Sequence, residues 1–407
     1  MALTRALAAL MEPSTARVKL STLMRLVFVS GRLHTNHEIP RSRFSQEHRQ
    51  RAETDHSCSG APPFPRRSPC MIMPLLRAVI TDVDGTLFPF GESPKVSAGN
   101  IAALQRAIDS GVHVGLATGR IPGPWRDRIR TQLPRLGASV FANGALVLSE
   151  NDEIIHENTM PAAAVEAVEA FTRGGTAGDP AAGRICVLAT TRWEAAGDAY
   201  DSLRYVELSP QGEESWVTRL IRSAGEPEIV LLPSLQPLLD RRVLKFVLCA
   251  CSSISNLPPC RTSSLADSLL SLSCCCLLLC PGSNSPNEPG WCDMPQVVSE
   301  LRTALAGTGA SVLDCGPRQC EILPPGCHKG AGVKRLLERL DIPPESVLAC
   351  GDAENDVEML CMVGVGVAMG NAKPPAVEAA DHVVATNDED GVAESVRRFV
   401  FGERDSE

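Results

Sequence analysis

Aromatic residues are scarce in this chain of 407 residues, at 4%. So few rings exclude a protein built on base-stacking platforms. Positive charge is also in short supply, with a net charge of −9. Residues 1–70 carry 11 Lys and Arg against 5 Asp and Glu, and the remainder carries 28 against 43. An acidic body of this kind argues against nucleic acid as a general partner. It leaves small phosphorylated molecules open, because a bound metal inverts the local potential. No apolar run reaches the roughly 20 residues of a spanning helix. Leu20–Val29 and Ser268–Cys280 both fall short, so no membrane partner is expected. Cysteine is plentiful, at 16, but no CxxC pair occurs, which argues against a zinc site. Eight cysteines lie between Cys249 and Cys292. The others sit in apolar segments, as reduced core thiols do, and point to a reducing compartment.

What is present is enough for two or three domains, with 44% hydrophobic residues to fill their cores. Residues 1–70, rich in Arg and poor in acids, read either as a disordered leader or upstream extension of the gene model, or as an organelle transit peptide. The first reading leaves the protein cytoplasmic, the second puts it in a plastid or mitochondrion. Met71 and Met73 stand directly before the first strand-like run, Leu75–Ile80. From there helices are expected at Ile101–Ile108 and Arg126–Leu136, and strands at Val112–Ala117 and Val140–Ala142. Ala145–Leu148 and Glu153–His156 suggest a hairpin. Such βα alternation predicts an α/β fold with a parallel sheet.

The character changes over residues 159–324. A helix at Ala162–Thr172 precedes strand-like pieces at Ile185–Ala189, Leu203–Leu208, Val243–Leu248, Ser311–Asp314 and Gln319–Leu323. Helices at Trp216–Ser223 and Pro295–Ala306 separate some of them, so the stretch reads as an α+β insert. Parallel patterning then resumes with helices at Gly330–Leu340, Asp356–Cys361, Pro374–Ala380 and Val392–Phe399. Strands at Val347–Cys350, Val365–Met369 and His382–Ala385 alternate with them. Residues 71–158 and 325–407 thus form one domain interrupted by another. Within the insert, residues 251–291 are anomalous: Ser, Leu and Cys dominate, closed by Pro and Gly. Too short to span a bilayer, the segment reads as a disordered cysteine-rich loop or as translated non-coding sequence.

Asp82-Val83-Asp84-Gly85-Thr86-Leu87 follows the first apolar run. Carboxylates two residues apart at the end of a strand point the same way, and Gly85 lets the backbone turn sharply. Packing gives no reason to crowd two like charges there. Phosphate-ester hydrolysis does, since it needs acceleration of up to about 10²¹. It calls for a nucleophile, a proton donor and dense positive charge. Asp82 is the candidate nucleophile, forming an aspartyl-phosphate. Asp84 is the candidate general acid/base, with Thr86 and the N–H groups of the turn orienting phosphate and Asp84. The bland alternative is a strand ending in an Asx turn.

Three further segments bear on the same chemistry. In Gly115–Arg120, Thr118 and Gly119 after a strand, opening a helix, present O–H and N–H to a phosphate. Thr118 as a plain N-cap is the alternative, and Arg120 reads as solvated or structural ahead of phosphate-binding. Lys329, before the Gly330–Leu340 helix, is placed to offset charge between Asp82 and an incoming phosphate; alone it is an ordinary exposed lysine. His328 reads as its neighbour and not as a ligand. In Cys350–Asp356, three acids and an Asn make a hard oxygen site suited to Mg²⁺. Asp352 is the direct ligand there, with Asn355 and Asp356 in support; a capped helix with solvated acids is the alternative. All four segments follow successive strands, at the carboxyl ends where open α/β sheets bind ligands.

The DVDGTL, LATGR, HKG and GDAENDVEM segments resemble the haloacid dehalogenase-like phosphatases. Asn143-Gly144-Ala145, Gly370-Asn371-Ala372 and residues 386–392 look like the Cof-type subgroup of that family. The resemblance covers residues 73–250 and 293–400. It implies a Rossmann-like core with an α+β cap inserted between the second and third motifs, which closes over the leaving group and selects it. It also implies Asp82 as nucleophile and Asp84 as acid/base. Mg²⁺ would be held by the Asp82 carboxylate, the Asp84 carbonyl and Asp352. Phosphate would be held by Val83, Thr118, Gly119, Lys329 and Asn355, with Thr86 and Asp356 behind them. The leader and residues 251–291 have no counterpart in the pattern, and Val377 stands where a lysine is common. The expected function is hydrolysis of small phosphorylated metabolites. Its competitors are a phosphomutase of a related capped subgroup and a catalytically inactive binding protein.

Overall fold

The structure, a computed structural model, describes residues 75–88, 95–173, 185–192, 203–209, 212, 214–215, 217–218, 229–250, 293–316 and 318–403. The leader, Met71 and Met73, the segment 251–291 and all but two residues of the Trp216–Ser223 helix lie outside the described residues.

The first part of the chain runs β1 (Ala78–Thr81), α1 (Ala98–Asp109), β2 (His113–Leu116), α2 (Pro124–Gln132), β3 (Ser139–Phe141), β4 (Leu146–Leu148) and β5 (Ile154–Glu157). Then come α3 (Ala162–Arg173), β6 (Ile185–Arg192), β7 (Leu203–Leu208), β8 (Ile229–Leu232) and β9 (Arg242–Ala250). Next are α4 (Met294–Ala304), β10 (Ser311–Asp314), β11 (Gln319–Leu323), α5 (Lys329–Leu340) and β12 (Val347–Gly351). The chain ends with α6 (Val357–Met362), β13 (Val365–Ala368), α7 (Pro374–Ala379), β14 (His382–Val383) and α8 (Gly391–Ser395).

Five strands form a parallel sheet in the order β14-β13-β12-β1-β2. Its inner strands are fully buried, and β12 and β13, Val347–Gly351 and Val365–Ala368, carry no polar side chain. Strands covered on both faces require such runs. Local signals set the helix ends. Ser97 caps α1, its Oγ accepting from the Asn100 N–H at 3.1 Å. His328 caps α5 in the same way, Nδ1 accepting from the Ala331 N–H at 3.2 Å. A small antiparallel sheet, β3-β4-β5, adjoins β2 through the Ala117–Val140 bridge.

A second, six-stranded sheet has the order β10-β11-β9-β6-β7-β8 and is antiparallel except for β7 and β8. One face, with Phe246, Leu248, Val187 and Ile322, joins Val165 and Val168 of α3 and Val297 and Leu301 of α4 in one apolar cluster. The other face, with Leu188, Val247, Cys249 and Leu323, joins the cluster that also holds Val83, Leu116 and Cys350. Alternation along each strand sends successive side chains to these two faces. The anomalous segment falls between β9 and α4.

Most expected elements are found within a few residues of their places, and the differences have physical causes. The strand β8 was not anticipated from sequence, because Ile229–Leu232 is a four-residue run between Pro227 and Pro233. The helix after Gly119 does not open at the motif. It begins at Pro124, whose ring suits the first helical position, and it ends at Gln132. The last helix stops at Ser395 and continues as a π-helical turn, Val396–Val400. No helix among the described residues is long and apolar enough to cross a membrane. Cys186, Cys249, Cys315, Cys320, Cys327 and Cys350 are buried. Burial pushes the Cys327 and Cys350 thiols up to about 12, which makes them packing groups and not nucleophiles.

Candidate active site

Strand order reverses between β1 and β12, and the chain leaves both strands at the same edge of the parallel sheet. Such a switch point opens a crevice at the carboxyl ends. Asp82 stands one residue past β1, its N–H held by the Cys350 carbonyl at 2.9 Å. The turn that follows depends on Gly85, at φ 79°. It is closed by the Val83 carbonyl, which accepts from the Leu87 N–H at 3.0 Å. Thr86 does not face solvent: its hydroxyl donates to Asp352 Oδ1 at 2.9 Å, tying the first motif to the fourth.

Four carboxylates gather here. Asp82, Asp352 and Asp356 each offer an oxygen within 4.8 Å of the other two, and all three are buried. Lys329 lies among them with 1% exposure. Its Nζ donates to Asp82 Oδ1 at 2.6 Å and to Asp356 Oδ1 at 2.7 Å. The reading of Lys329 as an exposed surface lysine is therefore set aside. Asp356 Oδ2 accepts from the N–H groups of Asp352 and Ala353, both at 3.0 Å, so this carboxylate shapes the loop that presents Asp352. Asp84 meets Arg120, which donates through Nε to Oδ2 at 2.8 Å and through Nη2 to Oδ1 at 2.5 Å. This two-pronged grip was not foreseen in sequence, where the partner considered for Arg120 is phosphate and not Asp84.

The electrostatics follow from burial. Burial pushes the Asp82 carboxyl well up; Lys329 opposes this, while Asp356, Asp352 and Asp84 add to it. Asp352 is raised to about 7, by burial first and Asp356 second, against Lys329 and Thr86. Burial alone would lower Lys329, but Asp356 and Asp82 outweigh it and hold the ammonium up. When ionised, Asp82, Asp84, Asp352 and Asp356 outnumber the cations paired with them, Lys329 and Arg120, by two. A divalent cation would offset that excess and favour the ionised carboxylates. The donors are all hard carboxylate oxygens, the set that Mg²⁺ prefers. The residues present therefore fit that ion.

The phosphate candidates lie around this cluster. The Thr118 Oγ accepts from the Arg120 N–H at 3.1 Å. Five residues lie between Thr118 and Pro124 at the start of α2, whose N-cap is Gly123, so Thr118 does not cap that helix. Asn355 Nδ2 donates to Asn143 Oδ1 at 3.1 Å. Asn143 and its glycine were noticed as a turn: Gly144 has φ 96°, and a Cβ there would come within 2.3 Å of the His328 carbonyl. Asn371 donates to the Gly85 carbonyl at 2.8 Å and accepts from the Asn387 N–H at 2.9 Å, bracing the first turn from the far side. Sequence reasoning missed Lys245 and Glu321. Both are buried charges in mid-strand, at 3% and 0% exposure, and that conflict with a strand's apolar face was the available signal.

Comparison with known proteins bears on the family and the fold. The family profile described as haloacid dehalogenase-like hydrolase matches residues 79–173 and 292–396. A stretch of 105 residues is 42% identical to the chloroplastic endoribonuclease YBEY of Arabidopsis thaliana, covering 26% of this chain and 18% of that protein. A stretch of 106 residues is 37% identical to the 5-amino-6-(5-phospho-D-ribitylamino)uracil phosphatase YcsE of Bacillus subtilis, covering 26% of this chain and 41% of that protein. The chain thus spans less than half the length of these relatives. The fold is that of a subclass IIB sugar phosphatase, with a TM-score of 0.57, 19% identity, and coverage of 79% of this chain and 98% of that one.

Proposed function

The chain belongs to the haloacid dehalogenase-like hydrolases, Cof type, and from that premise we propose that it is a Mg²⁺-dependent phosphatase. Its substrates in this reading are small phosphate monoesters, sugar phosphates or similar metabolites. The observation that carries the reading is the buried Asp82 carboxylate at the switch point, bound to Lys329 and clustered with Asp352 and Asp356. The printed names of relatives, a phosphoribitylamino-uracil phosphatase and a sugar phosphatase, support the substrate class. Residues 71–158 and 325–407 form the catalytic core in this reading, and residues 159–324 the cap.

The Asp82 oxygen attacks phosphorus, and an Asp82–phosphate bond forms as the bond to the leaving oxygen breaks. Asp84, which carries a proton once its pair with Arg120 opens, gives that proton to the leaving oxygen. Water then attacks the phosphoryl group, Asp84 takes the proton back, and the Asp82–phosphate bond breaks to release inorganic phosphate. Lys329 keeps Asp82 oriented and offsets its charge against the incoming anion. Val83, Thr118, Gly119 and Asn355 surround the phosphate oxygens. Arg120 holds the Asp84 carboxylate in the resting site. Asp82, the Asp84 carbonyl and Asp352 would hold Mg²⁺, which supplies the charge that lets two anions meet.

Inorganic phosphate release from a panel of phosphorylated metabolites, with and without Mg²⁺, tests this. Release only with Mg²⁺ is expected. Isomerised ester without free phosphate would instead identify a mutase, and no turnover on any ester would leave a binding protein. The Arg-rich composition of residues 1–70 and a relative named as chloroplastic support an organellar location, which imaging of a fluorescent fusion of the full chain tests.

A further inference from the structure

Two neighbouring strands of the six-stranded sheet bury opposite charges where most of their other residues are apolar. The register sets Glu321 of β11 opposite Val247 of β9. Lys245 therefore lies one diagonal step away on the same face. The sheet's own stability gives no reason for the pair, since a buried ion pair is often no better than apolar residues of the same volume. What the pair touches does give one. Lys245 Nζ donates to Glu321 Oε1 at 2.7 Å and to the Gly119 carbonyl at 2.9 Å. Glu321 Oε2 accepts from Asn143 Nδ2 at 2.8 Å, and Asn143 Oδ1 accepts from Asn355 Nδ2 at 3.1 Å. One buried chain of hydrogen bonds thus ends at Gly119 on one side and at Asn355 on the other.

We propose that Lys245 and Glu321 are positioning residues for phosphate capture: the antiparallel sheet sets the two phosphate-facing loops of the parallel sheet from behind. The inference rests on the phosphatase reading, which assigns Gly119, Thr118 and Asn355 to phosphate. In a trans peptide the carbonyl and the next N–H point opposite ways. Anchoring the Gly119 carbonyl on Lys245 turns the Arg120 N–H towards Thr118 Oγ, where it donates at 3.1 Å. The Thr118 hydroxyl, with one lone pair filled, keeps its own proton for a phosphate oxygen. At the other end, Asn143 takes one of the two Asn355 amide protons and fixes the direction of the second. Neither Lys245 nor Glu321 touches the reacting atoms in this account.

The test is calorimetric titration of the full chain with inorganic phosphate in the presence of Mg²⁺, alongside steady-state hydrolysis of a phosphate ester. Glu321→Gln keeps shape and removes charge. Asn143→Gly removes the middle link at a position whose φ of 52° glycine adopts freely. Each is expected to weaken phosphate binding about tenfold, as loss of a hydrogen bond to a charged group does. KM should rise in step, while kcat changes much less. The double variant should be no worse than the weaker-binding single variant, because the links act in series. Wild-type binding and KM in Glu321→Gln, or losses that multiply in the double variant, overturn the positioning role while leaving the phosphatase reading intact. A wild-type chain that neither binds phosphate nor hydrolyses any ester overturns both.

Discussion

The two large sheets bury apolar residues equally well, yet they carry polar residues in opposite ways. In the parallel sheet, Asp82, Thr118 and Asp352 stand beyond the carboxyl ends of β1, β2 and β12. In the antiparallel sheet, Lys245, Glu321 and Glu207 stand in mid-strand on a buried face. The difference follows from strand direction. Parallel strands bring all their carboxyl ends to one edge, so the loops there converge on one crevice. Antiparallel strands alternate their ends, and here the buried charges of that sheet lie on a face. In the proposed reading one region supplies the chemistry and the other supports it.

Substitutions should separate the two regions. The largest effect is expected from Asp82→Asn, which removes the nucleophile and should cut kcat by roughly 10⁴ or more, with a Tm equal to or above that of the wild type because one buried negative charge is gone. Activity near the wild-type value, measured as phosphate release, would sink the nucleophile assignment. Asp84→Asn should cost about 10²–10⁴ in kcat. On the other side of the comparison, Leu301→Ala empties a fully buried place between α4 and the antiparallel sheet. It should cost about 2–5 kcal/mol of stability, read by denaturant unfolding, while kcat of the folded fraction stays within about twofold. A loss of kcat as large as that in Asp84→Asn would erase the division of labour between the sheets.

The smallest effect is one of pH. Asp352 is raised from its ordinary 3.8 to about 7, so the folded protein retains a proton that the unfolded chain has released. Metal-free stability should therefore fall as pH rises from about 4 to about 7. Binding of Mg²⁺ requires the carboxylate, so the rise in Tm on adding Mg²⁺ should grow over the same window and then level off. A rise that is constant with pH, followed by thermal melts, would contradict the assignment of Asp352 to the ion.

The parallel region was legible in sequence because its signals are local. Apolar runs end at acid-rich or glycine-rich turns, and each motif lies within a few consecutive residues. The partner of Arg120 was not legible, since Asp84 stands 36 residues away and the parallel pairing of β1 with β2 brings the two together. Lys245 and Glu321 were hidden for a related reason. Their strands were recognised from alternation, but a charged residue within such a pattern counts as solvent-facing until both sides of the sheet are known to be covered. The strand Ile229–Leu232 was missed because four apolar residues between prolines show no period at all.

The central claim is that the Asp82 carboxylate bonds covalently to phosphorus during turnover. Rapid acid quenching with a phosphate ester labelled in its phosphoryl group, followed by peptide mapping, tests this directly. The account predicts an acid-stable, hydroxylamine-labile label on the peptide that contains Asp82, absent from the Asp82→Asn variant. Label on another residue, or turnover with no labelled protein at any quench time, would contradict it.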